Sequence, residues 1–375
     1  MATSPRNIPK LIDIGSNLGD PVFKGSYHGK QAHPDDFDAI LDRARRAGVG
    51  IQLLTGDCIP GSQEVLELAT RHDGLYATVG CHPCRATEMD KYEGGIDAYV
   101  ATLDRIIADN KARGKVLAVG ECGLDYDRLF LASKEAQMRA FPPQLALATK
   151  HDLPLFLHSR NCHEDFVGVL RSHTSTLRGV VHSFTGTLAE ALELIELGFF
   201  IGVNGCSLKT EENLSVVEGI PLGSIMIESD CPWCEIRPSH ASSRHLVDMP
   251  PDLRGVYMTT MVKKEKFVPG KGVKGRNEPN STGQVAWVVS KVKQTSVEEV
   301  ARVTTENALN MFRLSVQDGF EKGCPVFSAT RIHNMISLGL SIDVDEEAAP
   351  AQAESSDDAP PPLEATAAST MEDVD

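Results

Sequence analysis

The chain has 375 residues, of which 41% are hydrophobic, and it carries a formal net charge of −15. This length exceeds that of a usual single domain, but a single large domain of about 250 residues would leave only terminal extensions outside it. No apolar run approaches the roughly 18 residues of a membrane-spanning helix, and residues 1–10 lack the apolar stretch of a secretory signal. We therefore expect an intracellular protein, cytoplasmic or nuclear, with no membrane partner.

The negative charge is concentrated at the C-terminal end. Residues 341–375 contain 11 acidic residues and no Lys or Arg, which leaves a net charge of −4 for the rest. Because this segment is rich in Ala, Pro and Ser, we expect an acidic disordered tail whose removal leaves thermal stability unchanged. By contrast, residues 263–276 carry six Lys or Arg against one Glu. Such a loop is either exposed to solvent without binding a ligand, or it binds phosphate groups although the rest of the protein is mildly acidic.

The nine cysteines do not indicate a disulfide framework, because their number is odd and the chain is long. Two pairs stand at CxxC spacing, Cys81 with Cys84 and Cys231 with Cys234. A shared zinc site is conceivable, but the pairs lie far apart and no thioredoxin-like context surrounds them. Reduced, partly buried thiols are the simpler interpretation.

Eight short apolar, β-branched runs recur along the chain, and each is followed by a segment of helical character. They lie at residues 11–14, 51–54, 76–79, 116–119, 155–157, 180–181, 199–203 and 225–227. Thr187 and Glu190 form a capping box at the start of one predicted helix, and Gly48 ends another. Pro142 and Pro143 should break the helical segment over 134–150 into two.

Eight strands that alternate with helices predict an α/β fold, either a closed barrel or a doubly wound open sheet. The strand count favours a TIM-like (β/α)8 barrel, and neither a GxGxxG nor a Walker loop supports the open sheet. We assign residues 1–10 to an N-terminal extension and 11–325 to the barrel. An irregular insertion loop is expected at about 245–275, after the eighth strand, and the acidic tail occupies 341–375.

Polar residues follow the apolar cores of four predicted strands. Glu121 follows the fourth strand, His158 the fifth, His182 the sixth and Asp230 the eighth. Because the carboxyl ends of barrel strands converge at one mouth, we expect these side chains to lie together there. Imidazoles and carboxylates on a rigid rim are donors for a divalent metal, although each residue alone has an ordinary structural explanation.

Several segments, taken together, resemble the metal-dependent deoxyribonucleases of the TatD family. They are LIDIGSNL (11–18), VGCHP (79–83), GECGLD (120–125), LHSRN (157–161), HSFTG (182–186), GVNGCSLK (202–209), IESDCPW (227–233) and RNEP (276–279). The resemblance spans about residues 9–314 and is greatest to the eukaryotic branch. It implies an amidohydrolase-related barrel that cleaves DNA as a 3′–5′ exonuclease or an endonuclease. It also implies that Glu121, His158, His182 and Asp230 bind magnesium.

The opening motif departs from the wider family pattern. Many relatives begin with Asp-x-His-x-His, whereas Gly15 and Asn17 occupy the two histidine positions here. A second metal must then bind weakly, use Asn17 or Asp13, or arrive with the substrate, so one or two ions are expected. Imidazole ligands favour Mn or Zn, whereas the resemblance implies Mg.

The expected reaction is hydrolysis of a phosphodiester bond by a metal-activated water, which makes the protein a hydrolase acting on ester bonds. Glu121 would be the carboxylate shared between two metals, and Asp230 both a ligand and the general base. His82 would contact phosphate or protonate the leaving group, unless it is merely a rim histidine braced by Pro83. The candidate phosphate-binding cations, Lys209 being the weaker, are Arg160, Arg276 and Lys209.

Two other classes of function remain open from the residues. One is an amidohydrolase of a small cyclic amide or ester, but no Lys stands at the end of the fourth strand and the His-x-His pair is absent. The other is a non-catalytic, nucleic-acid-binding barrel, which only the missing histidines support. The expected partner is DNA, with RNA as the alternative.

Overall fold

The computed structural model describes residues 8–315, so the predicted acidic tail at 341–375 and residues 1–7 lie outside the described residues. Eight parallel strands form one sheet in which each strand pairs with the next along the chain. The strands are β1 (Leu11–Ser16), β2 (Val49–Leu54), β3 (Leu75–Val79), β4 (Val116–Asp125), β5 (Leu155–Arg160), β6 (Gly179–Val181), β7 (Phe199–Val203) and β8 (Ile225–Ile227).

The ends of β1 and β8 lie side by side and nearly close the sheet into a barrel. The Asp230 N–H donates to Gly15 O (2.8 Å), and the Asn17 N–H donates to Cys231 O (2.8 Å). Because the connections between consecutive parallel strands carry helices, the architecture is the predicted TIM-like (β/α)8 barrel. This confirms the expected fold class.

The helices surround the sheet. They are α1 (Phe37–Arg46), α2 (Ile59–Arg71), α3 (Ala86–Lys91), α4 (Gly95–Lys111), α5 (Lys134–His151), α6 (His163–Ser172), α7 (Leu188–Glu196), α8 (Glu211–Gly219), α9 (Ser243–Leu246), α10 (Pro251–Tyr257), α11 (Thr282–Val292) and α12 (Val297–Phe312). No helix within residues 8–315 is both long and apolar enough to cross a bilayer.

Apolar side chains fill the inside of the barrel as well as the space between sheet and helices. Ile14, Phe156 and Met226 are fully buried within the ring of strands, and Phe312 of α12 packs against this inner cluster. The barrel is therefore a packed core rather than a pore, and reactive groups are confined to the rim.

The capping box predicted at Thr187 and Glu190 is present at the start of α7. The predicted break at Pro142 and Pro143 was wrong, since α5 runs without interruption from Lys134 to His151. Each interior proline costs helix stability, but Phe141 beside them is fully buried, and tertiary packing of this face outweighs the local cost.

The segment predicted as an irregular insertion at about 245–275 contains α10 and a two-stranded parallel ladder between residues 261–262 and 272–273. It packs on the loop that follows β1. Phe267 stacks on His33 with 4.3 Å between ring centroids, and Lys264 Nζ lies 4.6 Å from the centre of the Tyr27 ring. The basic loop is thus held against the chain segment that leads away from the barrel mouth.

Candidate active site

Strand β4 is built so that Glu121 leaves the regular ladder at the barrel mouth. The strand continues to Asp125, beyond the predicted end at Val119, and its pairing with β5 is irregular around Glu121. Gly120 has a φ of 142°, and a Cβ on it would lie 2.2 Å from the Phe156 carbonyl oxygen. Only glycine fits this close approach, which explains the residue that precedes Glu121.

Three histidines surround the Glu121 carboxylate. Its Oε1 lies 2.7 Å from His182 Nε2 and 2.9 Å from His158 Nδ1. His82 Nε2 is 3.3 Å from the same oxygen. Each of these four side chains is less than 10% exposed. The structure therefore brings together three of the four predicted metal-binding residues, and it adds His82, which the sequence placed outside the group.

Two of the histidines are each held on their far side by a second buried carboxylate. His158 Nε2 lies 3.1 Å from Asp125 Oδ2, and His182 Nδ1 lies 3.4 Å from Glu228 Oε1. A carboxylate behind an imidazole fixes its tautomer and its orientation toward a metal. Asp125 makes a hydrogen bond with His158, whereas Glu228 makes only an ion-pair contact with His182; Nδ1 of His158 and Nε2 of His182 both face Glu121.

Asp230 lies beside this cluster and is held by amides rather than by the histidines. Asn17 Nδ2 donates to its Oδ1 (3.1 Å), and Asn204 Nδ2 donates to its Oδ2 (3.3 Å). The same Asn204 nitrogen is 3.2 Å from Glu228 Oε1, which links Asp230 to the carboxylate behind His182. Asn17 thus orients the carboxylate of the predicted general base.

His82 presents a hydrogen-bond donor to the cluster. Its Nδ1 accepts the backbone N–H of Cys84 (3.1 Å), so the neutral ring carries its proton on Nε2, which faces Glu121. Burial lowers the pKa of His82, which favours this neutral form. The donor atoms of His82, Glu121 and His158 all lie within 4.8 Å of one another. An Nε2 that keeps its proton, however, suits a phosphate oxygen better than a metal ion.

The charges of the cluster are strongly coupled. Burial alone would raise the pKa of Glu121, but the charge of His182 and the hydrogen bonds with His158 and His182 hold it well below its usual range. Burial would lower the pKa of His182, but Glu121 and Glu228 raise it well above the usual value. Burial raises the pKa of Asp230 to about 6. Glu121 is thus a buried carboxylate that stays ionised, and Asp230 is poised to take a proton near neutral pH.

This donor set fits a divalent cation. A buried, ionised carboxylate requires a compensating positive charge, and here that charge is either protonated histidine or a bound ion. Imidazole nitrogens and carboxylate oxygens are ligands for Zn, Mn and Mg. Among residues 8–315, the three such side chains whose donor atoms come close enough to hold an ion together are His82, Glu121 and His158, and His182 lies on the same carboxylate oxygen. The eight cysteines within this range are free thiols and form no second site.

The predicted phosphate-binding residues differ in their surroundings. Arg160 ends β5 at the mouth, is partly buried, and donates to Thr185 Oγ1 (2.5 Å). Lys209 is exposed in the loop that follows β7. Arg276 is fully buried and bound to Asp36 (2.7 Å) and Glu278 (3.0 Å). The guanidinium of Arg276 is thus already paired inside the protein, whereas Arg160 and Lys209 are not fully buried.

Three further residues of the site are not singled out by the sequence patterns: Asp125, Asn204 and Glu228. All three lie within segments that carry the family resemblance: GECGLD, GVNGCSLK and IESDCPW. Their position within these motifs marks them as candidates. A motif alone, however, does not show which neighbouring side chain a polar residue contacts. Asp13, a candidate ligand for a second metal, is fully buried and accepts the backbone N–H of Ser229 (2.9 Å).

Comparison with known proteins places these residues in a family context. A family model described as TatD related DNase matches residues 13–313. Deoxyribonuclease Tat-D of Schizosaccharomyces pombe is 46% identical over 305 residues, which cover 80% of this chain and 95% of that protein. The 3′-5′ ssDNA/RNA exonuclease TatD of Klebsiella pneumoniae is 34% identical over 242 residues, which cover 63% of this chain and 84% of that protein.

A solved structure, that of a hydrolase TatD family protein from Entamoeba histolytica, superposes with a TM-score of 0.73 at 34% identity. The match covers 82% of this chain and 99% of that one. The named relatives are deoxyribonucleases and exonucleases, which are hydrolases acting on ester bonds.

Proposed function

Because the chain belongs to the TatD-related DNase family and gathers three histidines and four carboxylates at one barrel mouth, we propose that it is a metal-dependent deoxyribonuclease. The observation that carries this proposal is the buried Glu121 carboxylate with His158 and His182 on it, each braced by a further carboxylate. The reaction is hydrolysis of a phosphodiester bond in DNA. The relatives' names favour 3′–5′ action on single-stranded DNA or RNA.

Glu121, His158 and His182, with Asp230 beside them, would hold one or two divalent cations. The family resemblance favours magnesium, and the imidazole donors also suit manganese or zinc. A bound cation neutralises phosphate charge, polarises the phosphoryl group and lowers the pKa of a coordinated water.

The remaining side chains have distinct roles in this proposal. Asp230 takes the proton of the attacking water, since a carboxyl with a pKa of about 6 is both basic enough and largely ionised at neutral pH. His82 donates its Nε2–H to a phosphate oxygen. Arg160 and, more weakly, Lys209 bind flanking phosphates.

The proposal is tested with a 5′-labelled single-stranded oligonucleotide and with bis(p-nitrophenyl) phosphate. Protein stripped with EDTA should cleave neither substrate, and Mg, Mn or Zn added back separately should restore cleavage of both. A ladder that shortens from the 3′ end indicates exonuclease action. Oligonucleotide binding without any cleavage, with every metal tried, would contradict the proposal and support a binding barrel. Cleavage in EDTA would contradict the metal dependence.

A further inference from the structure

Three consecutive apolar side chains are exposed in the loop that follows β4. Within residues 8–315, six large apolar side chains are exposed, and half of them are Leu129 (42%), Phe130 (73%) and Leu131 (38%). An aromatic ring that is exposed to this extent does not contribute the favourable free energy that its burial would give. Such apolar patches commonly mark binding sites.

The exposed ring stands on a turn that is tied to the active-site cluster. The Leu131 N–H donates to Arg128 O (3.0 Å), so Leu129 and Phe130 form the tip of the turn. Asp125 Oδ1 accepts the N–H of Arg128 (3.1 Å), and Asp125 Oδ2 accepts both its guanidinium (2.9 Å) and His158 Nε2 (3.1 Å). One carboxylate thus positions a cluster histidine and the base of this turn.

We propose that Phe130 is a stacking platform for a nucleobase of a single-stranded nucleic acid whose phosphate lies at the cluster. This inference rests on the proposed function. Phe130 follows Asp125 by five residues, so it lies within about 18 Å of it even for an extended chain, a span of a few nucleotides. Every base offers a π-face, and aromatic rings bind single strands through these faces without reading their sequence.

The small size of the patch argues for a base rather than a protein. Three side chains on one turn fall far short of the roughly 800 Å² per partner that a stable protein interface buries. A base is of the size that one exposed ring covers. In a duplex the faces of internal bases are already stacked, so the platform favours single strands and frayed ends.

The test is a double-mutant cycle between the ring and a base. The wild type and Phe130→Leu, which keeps the apolar character but removes the ring, each cleave an oligonucleotide and a series of oligonucleotides with one abasic position. We expect one position at which the abasic substrate lowers the wild-type kcat/KM by roughly 5- to 150-fold, equivalent to about 1–3 kcal/mol. At that position Phe130→Leu should be indifferent to the missing base. Phe130→Trp should restore the discrimination.

Two controls separate failure of this inference from failure of the proposed function. Cleavage of bis(p-nitrophenyl) phosphate by the wild type reports the chemistry without a base, and its absence would contradict the proposed function itself. Tyr92→Leu removes another exposed aromatic side chain, which contacts Tyr99, and should leave the kcat/KM of both substrates unchanged. The platform would be overturned if no abasic position showed coupling to Phe130→Leu. It would also be overturned if the wild type were a dimer that dissociates in the Phe130→Leu variant, because the ring would then serve a protein interface.

Discussion

Replacement of Asp230 by Asn perturbs the chemistry and the stability of the site in opposite directions. The left-handed backbone at Asp230 (φ 50°) is tolerated by Asn as well as by Asp, so the variant should fold. One carboxylate oxygen becomes an amide nitrogen that faces either Asn17 or Asn204, both of which already donate. The variant keeps the shape of the side chain and loses its basic site. We expect the chemical step to slow by roughly 10²- to 10⁴-fold.

The magnitude of the stability change follows from the pKa of Asp230, which burial raises from 3.8 to about 6. Between pH 3.8 and about 6, the Asp230 carboxyl is largely ionised in the unfolded chain but still protonated in the folded protein. The folded state therefore becomes less stable as the pH rises through this range. Above the folded pKa the cost levels off at about 3 kcal/mol in the cation-free protein, at about 1.36 kcal/mol per pKa unit. Asn carries no such cost. A lost hydrogen bond subtracts about 1 kcal/mol from this benefit. At pH 8 the free energy of unfolding of Asp230→Asn should therefore exceed that of the wild type by about 2 kcal/mol.

The assay combines single-turnover cleavage of an oligonucleotide in Mg with denaturation of the EDTA-treated protein at two pH values. The stability gain at pH 8 should be lost at about pH 3, where Asp230 is protonated in the folded state and largely so in the unfolded one. Asp127→Asn removes an exposed carboxylate from the loop after β4 and should leave rate and stability close to wild type. A folded Asp230→Asn protein that cleaves at the wild-type rate would refute the general-base role. A loss of stability at pH 8 would refute the reasoning about burial.

Three further variants test the surroundings of the cluster. Glu228→Gln should weaken cation binding by roughly 10- to 100-fold in calorimetric titration, because His182 loses the charge that orients it; unchanged affinity would show that Glu228 serves only the fold. His82→Ala should lower kcat/KM by roughly 10- to 100-fold with little change in cation affinity, since its Nε2 keeps its proton; a large loss of cation affinity would make His82 a ligand. Arg276→Met leaves the buried carboxylates of Asp36 and Glu278 to share Arg43 and should lower Tm by roughly 6–20 °C. A stable variant with weakened DNA binding would instead support the phosphate contact predicted for Arg276.

The sequence by itself determined the barrel and the position of its reactive rim. Eight apolar runs separated by helical segments permit few folds, and parallel strands of one barrel bring their carboxyl ends together. The polar residues toward the carboxyl ends of β4, β5 and β6 could therefore be expected to meet, and Glu121, His158 and His182 do meet. A local capping signal was equally dependable, because the Thr187 box involves only residues three positions apart.

The tertiary structure decided which polar groups face one another. Arg276 and Arg160 are the same residue type in similarly polar segments, yet one is sealed inside by Asp36 and Glu278 and the other reaches the mouth. Their environments depend on partners more than 100 residues away or on a strand end, which no local pattern encodes. The same holds for the uninterrupted α5, where distant packing outweighs two prolines. Local propensities amount to a few kcal/mol, and contacts made only on folding exceed them.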